Sequence, residues 1–288
     1  MSGILEKIIA TFERKIIENK GESITERKGV VKIEYIVDFI RALQTHEYDA
    51  HVCIMGQNGN GKSYFMLVLM KLLDPNSILN NRIVYAYDKT SKLITLLRES
   101  KSSVIGIDEA KKFFHYKQSM GTESIVLQNM IEYARENKNA IIACTNDIRR
   151  LNNNYRNAKV QLLVWLIDRF EEETAEVRSY GLVFVGNPAL EEEDKFRMNF
   201  FQNLTSFEQI RLVAESLPTF YGYIFLEDIK NIVSDEELRY YKEQKKKGIE
   251  TVAQEYIKRL ERKENPEIQE KNTQIDKLKS MLLKRKAF

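Results

Sequence analysis

Val52-Cys53-Ile54-Met55-Gly56-Gln57-Asn58-Gly59-Asn60-Gly61-Lys62-Ser63-Tyr64-Phe65-Met66-Leu67-Val68-Leu69-Met70 is the stretch from which the rest of the chain is read. Its first four residues read as a buried strand and its last seven as a helix. Between them, Gly56 to Ser63 has the spacing of a phosphate-binding loop, in the strand–loop–helix setting that the motif requires. Glycines let consecutive backbone N–H groups turn inward around a polyphosphate, and the helix N-terminus adds its partial positive charge. The nucleotide-contacting set is therefore Gly56, Gln57, Asn58, Gly59, Asn60, Gly61, Lys62, Ser63 and Tyr64. Lys62 is placed to reach the β- and γ-phosphates, and the Ser63 hydroxyl to ligate Mg²⁺.

One strand and one helix further on, Ser103-Val104-Ile105-Gly106-Ile107-Asp108-Glu109 is an apolar strand ending in two acids. Asp108 is the expected Mg²⁺ carboxylate, and Glu109 the expected general base for the water that attacks the γ-phosphate. A lone acid fits binding and switching, whereas the adjacent pair fits hydrolysis. The next apolar strand, Ala140 to Cys144, ends in Thr145-Asn146. The Asn146 amide is a candidate sensor between the acids and the γ-phosphate; capping the following turn is an equal alternative. Arg149, Arg150 and Arg156 follow. Arg156, just before a strand expected near Ala158, is the preferred arginine finger toward a neighbouring subunit. A surface arginine paired with a local acid is the competing reading. Arg135, closing the preceding helix, is a second candidate finger, although basic residues there ordinarily serve the helix dipole.

Strands alternating with helices predict an α/β core with a mostly parallel sheet. Helices are expected over 4–19, 34–44, 90–98 and 123–137, a strand over 82–87, and a loop over 113–122. Lys159 to Phe170 and Val177 to Gly186 read as a β-hairpin. From Thr205 the pattern is mostly helical, with helices over 206–216, 226–232, 235–262 and 268–286. Three regions follow: an N-terminal helical segment (1–45), a phosphate-loop core (46–204) and a basic helical C-terminal region (205–288).

The 288 residues suffice for an α/β core with an appendage, and 43% hydrophobic with 30% charged content is globular. A net charge of +3 is too small to imply nucleic acid, but its distribution is uneven. From Arg239 to Phe288 there are fifteen Lys/Arg against eight Asp/Glu, leaving the remainder near −4. A basic tail is compatible with a polyanion and equally with a solvated helix face. The two cysteines, Cys53 and Cys144, lie in apolar strands and read as buried thiols of a reduced compartment. No apolar run approaches bilayer length, and the N-terminus lacks a cleavage-type signal, so a cytoplasmic protein without a transmembrane segment is expected.

The order of phosphate loop, Asp108-Glu109, Arg135 closing a helix, sensor strand, then Leu151 to Arg156 before a strand and hairpin resembles the FtsK/HerA superfamily of P-loop ATPases. Within it, the size is similar to the zonula-occludens-toxin-like and viral or plasmid DNA-packaging ATPases. The likeness covers about Asp49 to Val185. It implies the additional-strand, catalytic-glutamate type of sheet, ATP and Mg²⁺ as ligands, and a homo-oligomer such as a hexameric ring. DNA translocation, packaging or transfer is the function implied, with Arg156 or Arg135 acting in trans. One departure is Asn146, where that branch commonly has Gln. Asn is similar to the AAA+ class of replication initiators and helicase loaders, in which ATP drives an assembly switch. An ATP-dependent protein-interaction module, its tail gripping a protein, is a third reading.

Overall fold

A computed structural model of the chain describes residues 2–18, 29–46, 48, 50–99, 101–115, 129, 131, 136–171, 176–186 and 194–264. Most of the helix expected over 123–137, with Arg135, and the helix expected over 268–286 lie outside the described residues.

The chain begins with helix α1 (Ser2–Glu18), a two-residue strand β1 (Gly29–Val30) and helix α2 (Ile33–Thr45). The phosphate-loop strand β2 (Ala50–Gly56) and helix α3 (Lys62–Leu73) come next, then β3 (Ile83–Val84), α4 (Thr90–Glu99), β4 (Val104–Ile107), a single turn α5 (Lys111–Phe114) and β5 (Ala140–Thr145). A hairpin of β6 (Val160–Glu171) and β7 (Glu176–Val185) is followed by α6 (Phe207–Ser216), β8 (Phe220–Phe225) and the long helix α7 (Asp235–Glu264).

Among the described residues the strands form one sheet in the order β1-β8-β7-β6-β2-β5-β4-β3. Every pairing is parallel except those of β7 with β6 and with β8, so β7 runs against the rest. The fold is thus α/β with a mostly parallel sheet, and β5 lies between the phosphate-loop strand β2 and the acid-bearing strand β4. That inserted strand is the additional-strand arrangement the sequence implied.

All seven residues of β2 are buried, as expected of a central parallel strand covered on both faces. Cys53 and Met55 belong to a core layer containing Leu93, Leu97, Phe113, Phe114, Tyr155 and Ala214. By strand alternation Val52 and Ile54 face the other way, where α2 and α3 pack. Gly106 in β4 permits close approach of α3, because a Cβ there would fall 2.5 Å from the Met70 sulfur and 3.0 Å from that of Met66. On α1, Ile8, Phe12 and Ile16 are buried while Ile4 is 43% exposed; Phe12 packs on Phe39 of α2.

Four local expectations change. The strand expected over 82–87 stops at Val84, because the Asp88 carboxylate accepts from the Tyr85 N–H (2.8 Å) and turns the chain. Residues 113–115, read as loop, belong instead to α5 and a bridge between His115 and Leu151. The segment 226–232 is a 3₁₀ turn over Leu226–Ile229 rather than a full helix. β1 and β8 add strands that the sequence reading lacked, both outside the 46–204 span expected for the core. Both cysteines are buried, and burial pushes each thiol pKa up.

The chain divides into two compact units, Met1–Leu238 and Arg239–Phe288. The first contains the whole sheet. In the described part of the second, α7 continues to Glu264. Among the described residues no helix is long and apolar enough to cross a membrane.

Candidate active site

Parallel pairing aligns three strand ends. Met55 is level with Thr145, and Ile107 is level with Ala143, so the residues after β2, β4 and β5 emerge along one edge of the sheet. The phosphate loop, the two acids and Asn146 therefore share that edge, which is where ligands bind in open α/β sheets.

The loop's conformation follows from its glycines. Gly59 and Gly61 hold φ values of 95° and 79°, in the left-handed region where a side chain is strained, and Gly61 is the residue from which α3 starts. Asn60 ties the loop to the neighbouring strand by donating its side-chain amide to the Leu166 carbonyl (3.2 Å). Lys62 is largely buried, and its ammonium donates to the carbonyls of Gly56 (2.9 Å) and Gln57 (2.7 Å). Its charge is thereby fixed at the mouth of the loop. The Tyr64 hydroxyl donates instead toward the Ile229 and Lys230 carbonyls, so Tyr64's remaining contribution to a phosphate is its backbone N–H at the helix start.

Ser63 Oγ donates to Asp108 Oδ1 at 2.9 Å, joining the loop to the acid-bearing strand. A hydroxyl and a buried carboxylate side by side are hard oxygen donors, and Mg²⁺ is ordinarily held by one or two carboxylates together with substrate phosphates. These residues fit that ion. Ser63 and Asp108 would hold it, and when bound it would neutralise charge on the phosphate oxygens.

Glu109 adopts a left-handed backbone, φ 72°, a conformation costing about 1–3 kcal/mol for a non-glycine residue and concentrated at functional positions. The turn is held from both sides. The Asp108 N–H donates to the Val84 carbonyl (2.8 Å), and the Ala110 N–H to the Cys144 carbonyl (2.7 Å). Glu109 is half-buried beside the fully buried strand ends.

Asn146 is exposed one residue past Thr145, while the capping role falls to Asp147, which accepts from the Arg149 N–H (2.9 Å). Asp147 also receives two hydrogen bonds from the Arg149 guanidinium, each 3.0 Å. Burial raises the Asp147 pKa, but the bonds and charge of Arg149 outweigh it and hold the carboxyl below its usual value.

Arg156 differs. It lies in a wide π-helical turn, Asn154–Lys159, because β6 starts later than the sequence indicated, at Val160. Its guanidinium donates to the side-chain oxygens of Asn157 (3.1 Å) and Asn153 (2.9 Å) and to the Arg149 carbonyl (3.4 Å). These acceptors are neutral. Among the described residues no carboxylate forms an ion pair with Arg156; burial draws its pKa down, outweighing the charges of Asp194 and Asp147, which raise it.

Two contacts at the site had no local sequence signal. Leu226 packs on the phosphate loop, 3.3 Å from where a Gly61 Cβ would be. Lys112, just after Glu109, donates to the Asp88 carbonyl (2.8 Å). Both join segments far apart in the chain, which only folding brings together.

This site is that of a P-loop ATPase. Residues 52–165 match the family described as "ATPase family associated with various cellular activities (AAA)". No curated protein matches the sequence. Among solved structures, the N-terminal domain of zonular occludens toxin from Neisseria meningitidis is similar at 15% identity over 48% of this chain and 84% of that one, with TM-score 0.36. The genome packaging NTPase B204 from Sulfolobus turreted icosahedral virus 2, in complex with ATP-gammaS, is similar at 16% over 48% and 92%, TM-score 0.33. The FIGL-1 AAA domain is similar at 17% over 56% and 60%, TM-score 0.34. The first two are of the kinds the sequence resembles. With TM-scores this low, nothing about this chain's activity follows from them.

Proposed function

We propose that this chain is the ATP-hydrolysing subunit of a ring-type oligomer that moves or packages DNA. One observation carries the oligomeric part: a half-buried Arg156 guanidinium whose hydrogen bonds all go to neutral acceptors, with Asp194 and Asp147 acting on it by charge alone. Arg149 is neutralised by Asp147 and is not suited to a second anion. Arg156 keeps a net charge that a phosphate would satisfy. Its hydrogen bonds within the subunit go to Asn153, Asn157 and Arg149, and none goes to the phosphate loop. A neighbour's γ-phosphate is the anion this reading assigns to it. Lys62 and the loop N–H groups bind the triphosphate, Ser63 and Asp108 hold Mg²⁺, Glu109 accepts the proton of the attacking water, and Asn146 orients that water. Loss of the arginine–phosphate contact after hydrolysis is the event that lets subunits rotate.

The DNA part is supported by the +7 balance of the 239–288 segment. Turnover is expected to rise on adding duplex DNA at low salt and to lose that rise as salt increases. No stimulation by duplex or single-stranded DNA at low salt would remove DNA as the track. Replacing Arg156 by Ala is expected to lower turnover about 10³-fold, the worth of an arginine finger. Mixing those subunits with Lys62→Ala subunits should recover part of the activity. Intact oligomers with no recovery would exclude action in trans.

A second reading is favoured by the family match together with Asn146. In it ATP drives assembly, as in replication initiators or helicase loaders. Slow turnover with ATP-dependent oligomerisation, unaffected by duplex DNA, would select it.

A further inference from the structure

Five residues after Glu109 and one residue before Arg156, two aromatic rings meet face to face. Phe114 and Tyr155 stack with centroids 3.9 Å apart and planes 5° from parallel, both nearly inaccessible at 1% and 2% exposure. The backbone reinforces the contact. The Asn152 N–H donates to the Phe114 carbonyl (2.7 Å), and His115 bridges to Leu151. Asn152 in turn organises the arginine turn: its side chain accepts from the Tyr155 N–H (2.8 Å) and its carbonyl from the Arg156 N–H (2.9 Å).

We propose that Phe114 and Tyr155 are positioning residues that set the placement of Arg156 from the catalytic-acid turn of the same subunit. The inference rests on the reading of Arg156 as a residue acting in trans. The physical argument is that Arg156 belongs to a π-helical turn, a geometry with poor intrinsic stability that needs outside support. Of its guanidinium's partners, Asn153 and Asn157 lie in or next to that turn, and the Arg149 carbonyl outside it is reached only at 3.4 Å, so the turn as a whole needs a packed contact. The Tyr155 ring supplies one, because it is anchored on α5, whose first residue follows the Glu109 turn by two positions. The two rings thus connect the element that cleaves ATP in one site with the residue offered to the next. A packed aromatic pair holds discrete arrangements rather than deforming continuously, so a change at Glu109 would reach Arg156 through it. Misplacement of a reacting group by about 1 Å costs on the order of 10²-fold in rate.

Tyr155→Leu removes the stack and Tyr155→Phe keeps it. Oligomer mass and thermal melting identify folded preparations, and Phe114→Leu replaces Tyr155→Leu if the latter does not fold. The leucine variant is expected to lose turnover about 10²-fold with KM for ATP little changed, and the phenylalanine variant to stay within about twofold of the parent protein. Mixed with Lys62→Ala subunits, the leucine variant should regain activity as Arg156→Ala does, because its own site is intact and its partner supplies a well-placed arginine. A folded leucine variant with full activity, or one not rescued where Arg156→Ala is rescued, would overturn the positioning role alone. Full activity of Arg156→Ala would overturn the trans-arginine reading and this inference with it.

Discussion

Lys62→Ala is expected to reduce ATP hydrolysis at least about 10³-fold, a loss of roughly 4 kcal/mol of transition-state stabilisation. The Lys62 ammonium is held within 2.9 Å of two loop carbonyls, at the mouth of a cradle built from backbone N–H groups. It is therefore preorganised where charge accumulates on the phosphates, and a low-dielectric position makes that charge worth more than it would be in water. Alanine also deprives the Gly56 and Gln57 carbonyls of a charged donor, which loosens the loop and weakens nucleotide binding. Phosphate release and titration with a fluorescent purine nucleotide separate the two effects. Turnover equal to that of the parent protein would remove Lys62 from the site.

Glu109→Gln should leave nucleotide affinity within a few-fold and lower turnover by about 10²–10⁴, the usual worth of a general base. Glutamine has the same shape, so the left-handed turn at φ 72° and its two backbone anchors persist while the proton acceptor is lost. The variant should consequently accumulate bound, uncleaved ATP, measurable by quench and nucleotide separation. Brisk single-turnover cleavage would assign the base elsewhere. The contrast with Lys62→Ala is informative: one variant should trap the triphosphate, the other should hold it poorly.

Legibility from sequence followed how local each feature's physics is. The loop of Gly56 to Ser63 was legible because its glycines and the apolar runs on either side act within one segment. Asp108-Glu109 was legible because an acid at the end of an apolar strand has few other uses once a phosphate loop precedes it. The hairpin of β6 and β7 was legible from two long apolar runs around a polar turn. β8 was not. Its Phe220-Tyr221-Gly222-Tyr223 alternation is short, and what makes it a strand is pairing with β7 on one side and the two residues of β1 on the other. The end of α5, Phe113 and Phe114, has the sequence of a loop because one turn of helix has almost no intrinsic stability. It exists where Phe114 is covered by Tyr155, which the sequence places about forty residues downstream.

The sequence by itself determined the cradle, the acidic pair and the alternation of strands and helices, because each depends on neighbours in the chain. Tertiary structure decided the rest: that β5 separates β2 from β4, that Ser63 meets Asp108, that Asp147 neutralises Arg149, and that the hydrogen bonds of Arg156 go to neutral acceptors. These depend on strand order and on which side chains a fold brings within hydrogen-bond reach. Such contacts form only after the entropy of closing long loops has been overcome by burial of the core.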